Sequence, residues 1–195
     1  MLSKTLPQIQ YIKIENFRAL PKVELKNLTP FTLLLDPNSS GKSTLFDVFV
    51  FLSECFEIGL HRAWDKHRLK TRSSKEAIVI EIQYKETDYP TIIYHLAVDE
   101  RNGAPFVKEE WLKWQRSKHG QPFNFLNYKE GKGKAISGEL PDEKDKRIEI
   151  PLKSPDLLAV NALGQLAQYP RVAALRDFIT GWYISYLTLS ALNLK

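Results

Sequence analysis

The chain has 195 residues, of which 43% are hydrophobic and 26% charged, with a formal net charge of +5. That is an ordinary globular composition, enough for one core or one and a half. One cysteine, Cys55, excludes an internal disulfide and points to a reducing, cytoplasmic setting; no stretch is long or apolar enough to span a membrane, and residues 1–10 lack a signal-peptide core.

Residues 11–20 (Tyr-Ile-Lys-Ile-Glu-Asn-Phe-Arg-Ala-Leu) alternate as a strand and then reach an Asn-Phe-Arg turn, and Val23-Glu24-Leu25 reads as a second short strand. Phe31 to Leu35 is a short apolar run, as in a buried central strand. The segment from Asp36 through Pro37, Asn38, Ser39, Ser40, Gly41, Lys42 and Ser43 to Thr44 follows it. This nearly matches the phosphate-loop pattern G-x-x-x-x-G-K-[ST], with Asp36 in place of the first glycine. From Thr44 to Glu57 apolar residues recur at Leu45, Phe46, Phe49, Val50, Leu52 and Phe56, close to helical spacing, with Asp47 and Glu54 on a less buried face. Strand, small-residue loop and helix therefore stand in the order that a phosphate loop requires.

The chemistry explains the residue types. Such a loop binds phosphate with consecutive backbone N–H groups and with the positive end of the following helix, so bulky side chains are excluded. Asn38, Ser39, Ser40 and Gly41 meet that demand. Lys42 would set its ammonium against the β- and γ-phosphates of ATP, and the Ser43 hydroxyl would ligate Mg²⁺, with Thr44 beside it. Asp36 works the other way. A carboxylate a few ångströms from a polyphosphate repels it by on the order of 1–4 kcal/mol at a partly solvated site, which is about 5- to 1000-fold in affinity unless the side chain turns away.

Downstream, residues 77–84 alternate and 91–98 follow, each a good strand, around a turn at Asp88-Tyr89-Pro90. A third run covers 105–115, and Arg147-Ile148-Glu149-Ile150 alternates again. Residues 155–166 and 171–180 look helical, interrupted at Tyr169-Pro170, and 181–187 reads as a returning strand. Residues 129–134 and 141–146 read as loops. Basic residues gather at 61–72 around Trp64 and again at 129–134; the first cluster suits nucleic-acid phosphates or a solvated loop. His61, His67, His95 and His119 show no metal-ligand spacing.

The strand, Asn16-Phe17-Arg18, second strand and loop at 37–44 together resemble the N-terminal lobe of the SMC/RecF-like branch of ABC-type ATPases, the AAA-type "predicted ATPases" included. The residues from Pro37 to Thr44 match that family's loop at every position after the first. The resemblance implies an α/β fold of α+β character: a phosphate-loop core with an antiparallel β lobe, like an ABC-ATPase head. It divides the chain into 1–60 (first strands, loop and helix), 61–150 (basic loop and β lobe) and 151–195 (helices and returning strand). It implies ATP and Mg²⁺ as cofactors, Arg18 near the nucleotide, Asn38 facing the γ-phosphate, and Gln165 as a Q-loop residue at the metal.

Other family parts do not follow residue 187: no L-S-G-G signature, no Walker B strand ending in Asp-Glu, no switch histidine. The chain thus corresponds to the first half of a head, expected to be truncated or split and inactive in isolation. Leu96-Ala97-Val98-Asp99-Glu100 imitates a Walker B strand but precedes an Arg101-Asn102-Gly103 turn, which favours a plain hairpin.

Three functions remain open on the sequence. One is the ATP-binding half of an SMC/RecF-like ATPase, completed by a second head or C-terminal half, in DNA repair or phage defence. The second is a degenerate phosphate-loop scaffold that binds a partner protein, nuclease or nucleic acid. The third is a small complete kinase or GTPase using Asp99 and Glu100. The run of antiparallel strands after the first helix disfavours the third.

Overall fold

A computed structural model describes residues 7–18, 20–35, 42–69, 75–87, 89–116 and 120–185, with the backbone alone at Lys42. Eight strands form one sheet: β1 (Gln8–Phe17), β2 (Leu20–Lys26), β3 (Ile78–Lys85), β4 (Thr91–Arg101), β5 (Ala104–Gln115), β6 (Phe123–Lys129), β7 (Lys132–Ala135) and β8 (Ile148–Glu149). Among the described residues four helices accompany it: α1 (Lys42–Glu57), α2 (Leu60–Lys66), α3 (Ala159–Leu163) and α4 (Pro170–Thr180). The spatial order is β2-β1-β3-β4-β5-β6-β7-β8, and every pair is antiparallel. The chain turns from β1 into β2, leaves the sheet for α1 and α2, returns on the other side of β1 as β3, and then meanders.

Period-two alternation decides which face of the sheet is core. Ile12, Ile82, Tyr94, Leu112 and Leu126 lie in one cross-strand row, and Ile14, Ile80, Leu96, Glu110 and Tyr128 in the next. All ten are 0–1% exposed. The helices cover this face. Phe56 of α1 meets Tyr94 at 6.2 Å between ring centroids, and Phe178 of α4 meets Tyr84 at 4.8 Å. Each large apolar side chain buried here contributes about 1.5–3 kcal/mol. The opposite face mixes half-exposed polar side chains with buried Ile93 and Ala97; there His95 stacks on Trp111 at 4.6 Å, and Lys113 lies 4.0 Å from the centroid of the same indole.

The mixed α/β architecture with an antiparallel sheet matches the β lobe expected from the alternating runs. Other expectations are corrected. Phe31 to Leu35 is not a buried strand. It belongs to no ladder, and Phe31, Leu33 and Leu35 are 82%, 66% and 83% exposed. Residues 182–185, read as part of a returning strand, carry none either, and 186–187 lie outside the described residues. The run 129–134 is not a loop but the tip of the β6–β7 hairpin, where Glu130 and Gly131 both take positive φ (47° and 77°), as a two-residue turn of matching twist demands. The basic segment after α1 folds as α2 rather than a loop, because Leu60, Ala63 and Trp64 give it an apolar side to bury. The long helix expected over 155–166 shrinks to the five residues of α3.

Glu110 is the one acidic residue in the apolar rows, and it is fully buried. Its carboxylate accepts the backbone N–H groups of Ala159 and, at 3.2 Å, Val160, and the Tyr94 hydroxyl at 3.0 Å. It thereby caps the start of α3 and ties that helix to β4 and β5. Burial raises its pKa from 4.5 to about 7, against the lowering effect of those three donors. Because the folded value lies above the unfolded one, the contribution is full below about pH 4.5 and is lost as pH rises through 7. The whole effect is on the order of 3 kcal/mol, at about 1.4 kcal/mol per unit. Thermal unfolding from pH 4.5 to 8.5 should show wild type losing stability relative to Glu110→Gln as pH rises; parallel curves would refute the assignment.

Candidate functional site: the start of α1

The residues whose sequence resembles a phosphate loop, Asp36, Pro37, Asn38, Ser39, Ser40 and Gly41, lie outside the described residues, as does the side chain of Lys42. What is described is the helix that receives them. α1 begins at Lys42, runs for 16 residues and has no acidic side chain in its first turn. The N–H groups of its first turn and the positive end of its dipole therefore lie next in sequence to the small residues 38–41. Ser43 is exposed there and Thr44 half-buried, while Leu45 and Val48 turn into the core and fix the helix. An exposed hydroxyl at a helix N-terminus is compatible with a magnesium–nucleotide complex; Ser43 is the described residue that would hold the metal and Lys42 the adjoining cation. Among the described residues no group of three His, Cys, Asp or Glu could hold a metal ion by itself.

The Asn16-Phe17-Arg18 turn is built to clamp α1. Asn16 and Arg18 both adopt positive φ (59° and 50°), which sends Phe17 inward between them. Phe17 is fully buried, 5.6 Å from the ring of Phe51, and Asn16 donates through Nδ2 to the carbonyl of Ala77 at 3.0 Å. Arg18, expected at the nucleotide, sets its guanidinium against the carboxylate of Asp47 and donates from Nη2 to the carbonyl of His67 at 3.0 Å. His67 in turn meets Glu54 Oε2 through Nε2 at 3.1 Å, and Lys66 donates to Glu54 Oε1 at 2.5 Å. A chain of polar contacts thus runs Asp47–Arg18–His67–Glu54–Lys66 from the end of β1 across α1 to α2.

Sequence reading missed this network. Glu54 was expected on a less buried face, yet it is 8% exposed, and His67 is 7% exposed. The available signal was the seven-residue spacing of Asp47 and Glu54, which puts two carboxylates on one face of α1. The network also accounts for part of the basic cluster at 61–72: Lys66 and His67 are engaged by Glu54, and His61 Nε2 lies 3.9 Å from Asp156 Oδ2.

The other candidates separate from this site. Gln165 is exposed just beyond α3, and its amide donates back to the Asn161 carbonyl at 3.1 Å. Asp99 and Glu100 lie in β4, opposite Phe106 and Pro105, beside the Asn102-Gly103 turn, where Asp99 pairs with Lys108 at 3.2 Å. That is the hairpin the turn residues announced. A cleft of about 180 Å³ opens between the α1–α2 connection and residues 156–161, with buried Cys55 and exposed Ile58 among its walls. Comparison of the chain with protein-family models, with curated proteins and with solved structures finds no match.

The Arg18 clamp predicts a stability effect. Arg18→Ala should lower the melting temperature by roughly 2–4 °C in the absence of nucleotide, corresponding to about 1 kcal/mol for a half-exposed charge-assisted contact. An unchanged melting temperature would show that the guanidinium holds nothing in place.

Proposed function

We propose that this chain binds ATP with Mg²⁺ through residues 37–44, as the nucleotide-binding half of an SMC/RecF-like ATPase head. The observation that carries the reading is the start of α1 at Lys42, directly after a run of small residues in the sequence, with no acidic group in its first turn. Bound Mg²⁺ would neutralise phosphate charge. The protein's share is to supply backbone N–H donors, the Lys42 ammonium and the Ser43 hydroxyl around the phosphates. Turnover would require the signature and Walker B groups from a second polypeptide or segment, in a setting such as DNA repair or phage defence.

A phosphate-loop core rests on parallel strands, whereas the described sheet is antiparallel throughout and residues 31–35 join no ladder, so the reading rests on the sequence of 36–44 and the start of α1 and not on the sheet. The bare side chains of Phe31, Leu33 and Leu35 fit a reading in which a partner or a second segment covers them. The second reading, a scaffold that has lost nucleotide binding, is favoured by Asp36 and uses the same apolar segment as its docking surface.

Thermal unfolding with and without ATP-Mg²⁺ separates the two. At 100 times the dissociation constant the ligand should add about 2.7 kcal/mol, a rise of several degrees. Lys42→Ala should abolish the rise and Asp36→Gly should enlarge it. No rise in a cooperatively unfolding chain would leave the scaffold reading.

A further inference from the structure

The imidazole of His67 is placed to sense protons. It sits at the end of α2, enclosed edge-on by Phe51 at 5.6 Å and Phe17 at 6.5 Å between centroids. Its two nitrogens face opposite charges. Nδ1 lies 3.3 Å from Arg18 Nη2, and Nε2 lies 3.1 Å from Glu54 Oε2. A guanidinium has only donors, so Nδ1 must accept, and the single ring proton of the neutral form must then sit on Nε2 and point at Glu54. One tautomer satisfies both neighbours.

We propose that His67 is a proton-operated latch, which holds Arg18 and the C-terminal end of α2 against α1 when its ring is neutral and releases them when the ring is protonated. A second ring proton would stand on Nδ1, donor against donor, with an imidazolium facing a guanidinium. Among the described residues, Glu54 and Asp47 from α1 favour protonation, and Arg18 from the end of β1 opposes it; Lys66 of α2 offsets Glu54. Burial opposes it most of all, and the result is a pKa below the ordinary 6.5. The folded value is depressed, so the latch contributes fully above about pH 6.5 and is lost as pH falls through the folded pKa. This is opposite in sign to Glu110. The latch rests on contacts within this chain and stands whether or not the loop at 37–44 binds nucleotide.

The test is long-range proton–nitrogen NMR of the imidazoles from pH 4 to 8, with amide hydrogen exchange of residues 62–69 at both ends of that range, on the full chain without nucleotide. The latch predicts an Nε2–H neutral tautomer at pH 7.5 and titration below 6.5. It also predicts that protection of 62–69, corrected for intrinsic exchange, falls at least tenfold relative to β3 and β4 in acid. His67→Gln, which cannot titrate, should show no such fall. An Nδ1–H tautomer, titration at or above 6.5, or protection that does not change with pH would overturn the latch. The wild-type NMR result decides the matter even if the variant fails to fold.

Discussion

The seam between α1 and the apolar face of the sheet is the constraint on which this fold depends. An antiparallel meander offers one continuous hydrophobic face, and a single 16-residue helix carries Leu45, Val48, Phe51, Leu52, Cys55 and Phe56 onto it. Burying that stripe fixes the axis of α1 and hence the point at which its N-terminus emerges. The Asn16-Phe17-Arg18 turn secures the same helix from the side, with Phe17 as the wedge and Arg18 as the tie to Asp47. The helix start that would meet phosphate is therefore anchored to the core through Leu45 and Val48.

Much of this fold was legible because burial on one face leaves a period in the sequence. β3 alternates cleanly and β4 is an almost unbroken apolar run rich in β-branched and aromatic residues, and so both were readable; α1 was readable from its apolar spacing. β6 was not, because a register shift between Leu112 and Lys113 lets the neighbouring residues Phe125 and Leu126 both be buried, which breaks the alternation. Phe31 to Leu35 misled in the other direction. A short apolar run states that the segment favours an apolar environment, not that this chain supplies one.

The polar interior was the least legible part. Glu110 follows Glu109, and nothing in that pair tells which points to the core; the answer comes from the pleat and from the two backbone N–H groups of α3 that wait for an acceptor. His67 looked like one more residue of a basic loop, and its partners lie 13 and 49 positions away. Contacts of that range carry no local period. These two buried groups now pull in opposite directions with pH, Glu110 weakening the fold toward alkaline conditions and His67 toward acid.

The central claim is that the N-terminus of α1 is a phosphate site. Backbone amide shifts of the full chain, followed by NMR as ATP-Mg²⁺ is added, test it most directly. The account predicts saturable shifts concentrated at residues 38–44 and absent in Lys42→Ala. Shifts that are missing there, or that appear instead at the cleft beside Cys55 or on the open face around Trp111, would contradict it.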